Sequence, residues 1–66
     1  MTQSQTDLAM ETIKYCLAAL KAAQETFQAI EQMDDQNRNV AMVAAGSMGV
    51  AIRIVGLAEN ELKREA

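Results

Sequence analysis

The sequence predicts an all-α protein: a two-helix antiparallel hairpin that dimerises into a four-helix bundle. Three observations support this fold class. First, none of the 66 residues is proline, so nothing interrupts a long helix. Second, half of the residues are hydrophobic but only Tyr15 and Phe27 are aromatic, which favours helix over sheet. Third, two segments with a helical apolar repeat flank a single polar segment.

The first helix is predicted from about residue 5 to residue 33. Ser4-Gln5-Thr6-Asp7 matches the capping pattern Ser/Thr-x-x-Asp/Glu, so we expect Ser4 to cap this helix. Apolar residues then recur every 3.5 positions on average, which is typical of a coiled-coil seam. The expected seam residues are Ala9, Ile13, Cys16, Leu20, Ala23, Phe27 and Ile30.

Six consecutive polar residues at 34–39 predict a turn, because Asp and Asn bond their own backbone and favour turns and helix caps. The second helix is predicted from about residue 39 to residue 65. Residues 1–66 would therefore form a single helical-hairpin domain. The repeat continues on the second helix through Ala41, Ala44, Met48, Ala51, Val55, Ala58 and Leu62.

Small and large residues alternate along both predicted seams. Small side chains let helices approach closely, and large ones fill the space beside them. We therefore expect these positions to form the core of the hairpin and its dimer: Ile13, Cys16, Leu20, Ala23, Phe27, Ala44, Met48, Ala51, Val55 and Ala58.

This layout resembles the alanine-rich hairpins of the Rop family, which pair into antiparallel four-helix bundles. The resemblance rests on chain length, the acidic turn Met33-Asp34-Asp35-Gln36 and the alternating small and large layers. It implies, as an alternative function, an RNA-binding regulatory dimer that uses Lys14 and Lys21. The family's lysine-rich face has a central phenylalanine, whereas the outer side of helix 1 here also carries Asp7, Glu11 and Glu25.

A second apolar stripe on helix 2 exceeds what one seam requires. A helix that is apolar around most of its circumference is normally covered on several sides. This stripe predicts a surface for a second copy or for a larger protein. Arg53 could serve as its polar anchor. The expected partner-binding residues are Val43, Val50, Arg53, Ile54 and Leu57.

Composition also narrows the class of function. Histidine is absent and Cys16 is the single cysteine, so an ordinary zinc site and an internal disulfide are not expected. We expect no cofactor and no enzymatic activity. A net charge of −3 disfavours nucleic acid as a partner. The N-terminus does not resemble a signal peptide, and one cysteine fits a reducing compartment, so the expected location is the cytoplasm.

A membrane-spanning segment is a weaker reading of residues 40–58. These 19 residues carry one charge and are just long enough to cross a bilayer. Arg53 would be costly there, and three glycines lower the hydrophobicity. Membrane association is therefore not expected.

The leading hypothesis from the sequence is a small regulatory protein that binds a larger protein and inhibits or escorts it. Its size and layout are similar to those of small helical inhibitors encoded by phages and plasmids, which act on bacterial regulators. The alternatives are the Rop-like RNA-binding dimer, a secretion-system co-chaperone, and a membrane or filament subunit.

Overall fold

The computed structural model describes residues 1–65 and consists of two long helices joined by a short turn. Helix α1 spans Gln3–Met33 and helix α2 spans Arg38–Glu65, and residues 1–65 contain no strand. The predicted helical hairpin is therefore confirmed. The radius of gyration is 15.1 Å, compared with about 11 Å for a compact domain of this length. The two helices form one elongated layer of 49 × 15 × 11 Å.

Helix α1 begins two residues earlier than the sequence pattern suggests, and its cap is Thr2. The Thr2 hydroxyl accepts a hydrogen bond from the backbone N–H of Gln5 at 3.1 Å, and the Thr2 N–H donates to the Gln5 side chain at 2.9 Å. This reciprocal pair satisfies two amides that the helix leaves free. The prediction that Ser4 caps the helix was wrong, because a second capping pattern lies two residues upstream with glutamine as its partner.

The turn is organised by Asp34, which ends α1 and also holds the start of α2. Its N–H donates to the carbonyl of Ile30 at 2.9 Å. Its carboxylate accepts the backbone N–H groups of Gln36 and Asn37 at 3.0 and 3.2 Å and the Asn37 side-chain amide at 2.7 Å. Arg38 donates back to the carbonyl of Glu31 at 3.3 Å and pairs with Asp35. Residues 34–38 thus provide local partners for backbone groups at both helix ends.

The seam between α1 and α2 is rotated relative to the expected one. Thr6, Ala41, Ala45 and Leu62 are the buried residues within 1–65. The half-buried side chains of α1 include the expected Ile13, Leu20 and Phe27 but also residues on the flank away from Cys16. Leu17 and Gln24 occupy that flank on α1, and Ala45, Ile52 and Glu59 occupy the corresponding flank of α2.

The rotation has a hydrophobic cause. Leu17 and Ile52 are larger apolar residues than Cys16 and Ala51, and their partial burial in the seam removes apolar surface from water. As a consequence, Cys16 and Ala58 are exposed in the hairpin. These two residues, predicted as core, lie outside the contact between α1 and α2.

Candidate interaction surface

The hairpin has two different broad faces. Because α1 and α2 are antiparallel, rows on the same flank of the two seams point to the same side of the layer. On one side, Gln24 of α1 donates from Nε2 to the carbonyl of Ala45 at 3.2 Å. On the other side, Ile30 of α1 and Val40 of α2 line a common concavity.

The side that carries Gln24 is mixed in composition, and we call it the polar face. It includes two lysines of α1 and two glycines of α2. Its outermost side chains are mostly exposed, and charged and amide groups lie among its apolar ones. The residues of the polar face are Asp7, Met10, Lys14, Leu17, Lys21, Gln24, Gln28, Glu31, Met42, Ala45, Gly49, Ile52, Gly56, Glu59 and Lys63.

The opposite side, which we call the apolar face, has a different composition. From residue 9 to residue 30 and from residue 40 to residue 58, its rows contain no charged side chain. Small residues dominate both halves, and the larger aliphatic members are Ile30 on α1 and Val40 and Ile54 on α2. The apolar face consists of Ala9, Thr12, Cys16, Ala19, Ala23, Thr26, Ile30, Val40, Ala44, Ser47, Ala51, Ile54 and Ala58.

The hydroxyl groups of the apolar face are already bonded within their own helices. Thr12 donates to the carbonyl of Leu8 at 2.8 Å, and Thr26 donates to the carbonyl of Ala22 at 3.0 Å. Ser47 donates to the carbonyl of Val43 at 2.9 Å. Burying an unpaired hydroxyl is costly, but these three donors can lose water without losing a partner. The apolar face can therefore be covered by another helix layer.

Next to the apolar face, α2 carries an exposed row of large aliphatic side chains, which we call the outer row: Val43, Val50 and Leu57. Their side chains are 66, 54 and 61% exposed, and Ile54 on the neighbouring apolar face is 60% exposed. Arg53 lies beside the outer row and is itself exposed. The structure thus leaves the five predicted partner-binding residues accessible on one helix.

The predicted core residues divide into two groups. Ile13, Leu20, Phe27, Met48 and Val55 are half-buried in the seam between the helices. The small residues lie instead on the apolar face, where Ala23, Ala44 and Ala51 are half-buried at its inner edge and Cys16 and Ala58 are exposed. Whether the small residues belong to a dimer core stays a prediction.

Sequence reasoning missed two features of this surface. The first is that Gln24 and Glu59 lie in the seam. A search for an apolar repeat does not find seam positions that are occupied by polar residues. Leu8 and Tyr15 form a second outer row on α1, and these residues are 66 and 70% exposed. Their spacing of seven residues was a detectable signal for this row.

Two further properties bear on the class of site. Within residues 1–65, no group of three or more cysteine and acidic side chains is arranged to hold a metal ion. Helix α2 is long and apolar enough to cross a membrane by length and composition, and only 11% of its most apolar 18-residue window is buried in the hairpin. The surface therefore offers apolar contact rather than a cluster of ligands.

Comparisons with known proteins add no family to this description. No family model matches the chain, and no curated protein and no solved structure matches it.

Proposed function

We propose that this chain is a small, non-enzymatic regulatory protein of the cytoplasm. In this proposal it forms a homodimeric four-helix bundle that binds a larger protein and inhibits or escorts it. The observation that carries the proposal is the row of large aliphatic side chains left exposed on α2. Val43, Val50 and Leu57 each remain more than half exposed in the hairpin.

The exposed area supports a second protein surface. The hairpin exposes 4947 Å², whereas a compact monomer of about 7,200 Da exposes about 4,100 Å². The excess of about 800 Å² equals one partner's share of a standard protein–protein interface. Two copies stacked through their apolar faces would also give the two packed layers that a stable domain normally has.

The outer row supports binding of a larger protein in addition to the dimer. In a square four-helix bundle, each helix turns one flank toward each of two neighbours. One flank of α2 already packs against α1, and its apolar face would pack against a helix of the second copy. The outer row would then stay on the outside of the bundle. A helix of another protein can lay its own apolar face along such a row. Arg53 would then meet an acidic group at the rim of the contact.

The proposal is tested by paired substitutions on α2 of the full chain. Val50→Asp and Ile54→Asp, combined, place two charges in the candidate surface. Met42→Asp is the matched control, because Met42 is 51% exposed on the same helix but belongs to the polar face. The tagged wild-type chain and both variants are incubated with extract of the source cell, and the bound proteins are identified by mass spectrometry.

We expect a protein that the wild type and Met42→Asp both retain and that the double variant loses. Circular dichroism must show equal helical content for the three chains. Recovery of the same protein by the double variant contradicts the surface assignment. Recovery of RNA that depends on Lys14 and Lys21, with no specific protein, would replace the proposal with the RNA-binding alternative.

A further inference from the structure

We infer that the larger protein binds through an amphipathic α-helix laid along the outer row, with a large apolar side chain over Gly46 and an acidic side chain on Arg53. This inference rests on the proposed function and names the element of the partner that the surface fits. It is drawn from three observations: the direction of the outer row, the missing side chain at Gly46, and the charge of Arg53, with which no acidic group of residues 1–65 pairs.

The outer row has the spacing and the direction of a second helix contact. It alternates with two further exposed residues at intervals of three and four, the repeat of a coiled-coil seam. We call this set the docking line: Val43, Gly46, Val50, Arg53 and Leu57. At about 100° per residue, the docking line lies about 170° around α2 from the buried residues of that helix. Since α1 packs on the opposite side of α2, a helix that covers the docking line must come from another molecule.

Gly46 leaves a hole in the docking line. When helices pack with this repeat, each side chain of one helix inserts among four residues of the other. One such group of four is Val43, Gly46, Ser47 and Val50, in which Gly46 has no side chain to fill the space. A Cβ added to Gly46 would meet no atom within 4 Å, so the hairpin itself does not require glycine there. The hole fits a large apolar side chain of the partner.

The polar member of this group of four does not oppose such a contact. The Ser47 hydroxyl donates to the carbonyl of Val43 at 2.9 Å. It can therefore be covered by an apolar side chain without losing its hydrogen-bond partner.

Arg53 gives the docking line its charge preference. It is the one charged residue between positions 40 and 58. The other two arginines, Arg38 and Arg64, pair with acidic neighbours, whereas Arg53 makes no ion pair within residues 1–65. The positions three and four residues away on α2 hold two glycines and two aliphatic residues, so its own helix offers no carboxylate. The guanidinium fork matches a carboxylate, and its apolar surroundings make a like charge costly.

Gly46 and Arg53 together specify the spacing of the partner's side chains. They are seven residues apart on α2, which places them about 10.5 Å apart along one row. A helix packed alongside α2 with the same repeat meets them with side chains that are also one heptad apart. The partner helix therefore carries an acidic residue one heptad from a large apolar residue, within an apolar stripe.

The probe is a synthetic helical peptide about three heptads long, with leucine along its apolar stripe. Glutamate replaces leucine one heptad before and one heptad after the central leucine. With the central leucine over Gly46, one glutamate reaches Arg53 whether the peptide runs parallel or antiparallel to α2, and the other lies over Asn39. A second peptide carries lysine at both positions. Fluorescence anisotropy measures the affinity of each labelled peptide for the full chain and for Arg53→Glu.

We expect the wild type to bind the glutamate peptide about tenfold more tightly than the lysine peptide. The net charge of −3 attracts the lysine peptide instead, so this preference must come from the local charge of Arg53. Arg53→Glu should reverse the preference. Three results overturn the inference: no binding of the glutamate peptide, equal affinity for both peptides, or a preference that Arg53→Glu leaves unchanged.

The hole is tested separately by Gly46→Leu, which should weaken binding of the glutamate peptide by about tenfold. Gly56→Leu is the matched control, because an added Cβ meets no atom within 4 Å at either glycine and Gly56 belongs to the polar face. Circular dichroism compares the helical content of both variants with that of the wild type. Full affinity in Gly46→Leu, or equal weakening by both leucines, contradicts the placement of a large side chain over Gly46.

Capture from cell extract separates this inference from the proposed function. A protein that is lost by the chain with Val50→Asp and Ile54→Asp but retained by Arg53→Glu supports the proposed function and overturns the inference. Retention of the same protein by both variant chains contradicts the proposed function itself.

Discussion

Gln24 of α1 donates from its side-chain Nε2 to the backbone carbonyl of Ala45 on α2 at 3.2 Å. It joins the two helices in the half of the hairpin nearer the turn. The amide passes over Gly49, where an added Cβ would lie 3.0 Å from Nε2. Gly46 and Gly56 have open space around them by the same measure. Only one of the three glycines of α2 is therefore explained by close approach within the hairpin.

We predict that alanine at Gly46 or Gly56 raises the free energy of unfolding by about 1 kcal/mol each, because alanine favours a helix interior over glycine. Gly49→Ala should give a smaller gain, since the Gln24 amide must move and weaken its bond to Ala45. Urea unfolding followed by circular dichroism measures the three variants. A loss of stability in Gly46→Ala or Gly56→Ala would show that another surface approaches these glycines.

The cap of α1 gives a second prediction. Thr2→Ala removes the hydroxyl that accepts the Gln5 N–H and should cost about 1 kcal/mol of local helix stability. Ser4→Ala is the matched control, because Ser4 lies inside the first turn and is exposed. Amide hydrogen exchange of the first turn should speed up in Thr2→Ala and stay unchanged in Ser4→Ala. The reverse result would restore Ser4 as the cap.

The turn gives a prediction about pH. Hydrogen bonds from the side chain and the backbone N–H of Asn37 lower the pKa of Asp34 below its ordinary value of 3.8. A lowered pKa means that the folded state favours the charged carboxylate, so this stabilisation is present above about pH 4 and is lost as pH falls through the folded-state pKa. Asp34→Ala should lower the urea midpoint at neutral pH.

The difference between Asp34→Ala and the wild type should then shrink as the solution becomes strongly acidic. Unfolding curves of both chains at a series of pH values measure this difference. A difference that does not change with pH would mean that the charge of Asp34 does not stabilise the turn. Asp35→Ala serves as the control on the neighbouring carboxylate, which pairs with Arg38 on the exposed surface.

A fourth prediction concerns the membrane reading of α2. The wild-type chain should not float with neutral lipid vesicles in a density gradient, because crossing the bilayer would bury Arg53 in hydrocarbon. Arg53→Leu removes that cost and should increase the vesicle-bound fraction. Flotation of the wild type, with residues 40–58 protected from protease, would contradict the proposed cytoplasmic function.

The sequence was sufficient for the two helices, the turn and the exposed aliphatic row, because each follows from local preference or helical periodicity. The orientation of the seam was not accessible in the same way. The stripe through Cys16 is apolar at every position, whereas the stripe through Leu17 is interrupted by Gln24 and Glu31, so apolar periodicity favours the Cys16 stripe. The choice depends on the apolar area that both helices bury together and on Gln24, whose polar side chain gives no apolar signal.

Four buried residues, Thr6, Ala41, Ala45 and Leu62, are a small interior for a chain of this length. A single hairpin gains little from folding, and its lifetime depends on what covers its apolar face. By mass action, the proposed dimer makes the folded fraction rise with the number of copies in the cell. Above the concentration at which the dimer forms, copies stay folded and persist. Below it, the hairpins open and become substrates for proteases. Gene dosage and turnover would then set the activity of this protein without any modification or ligand.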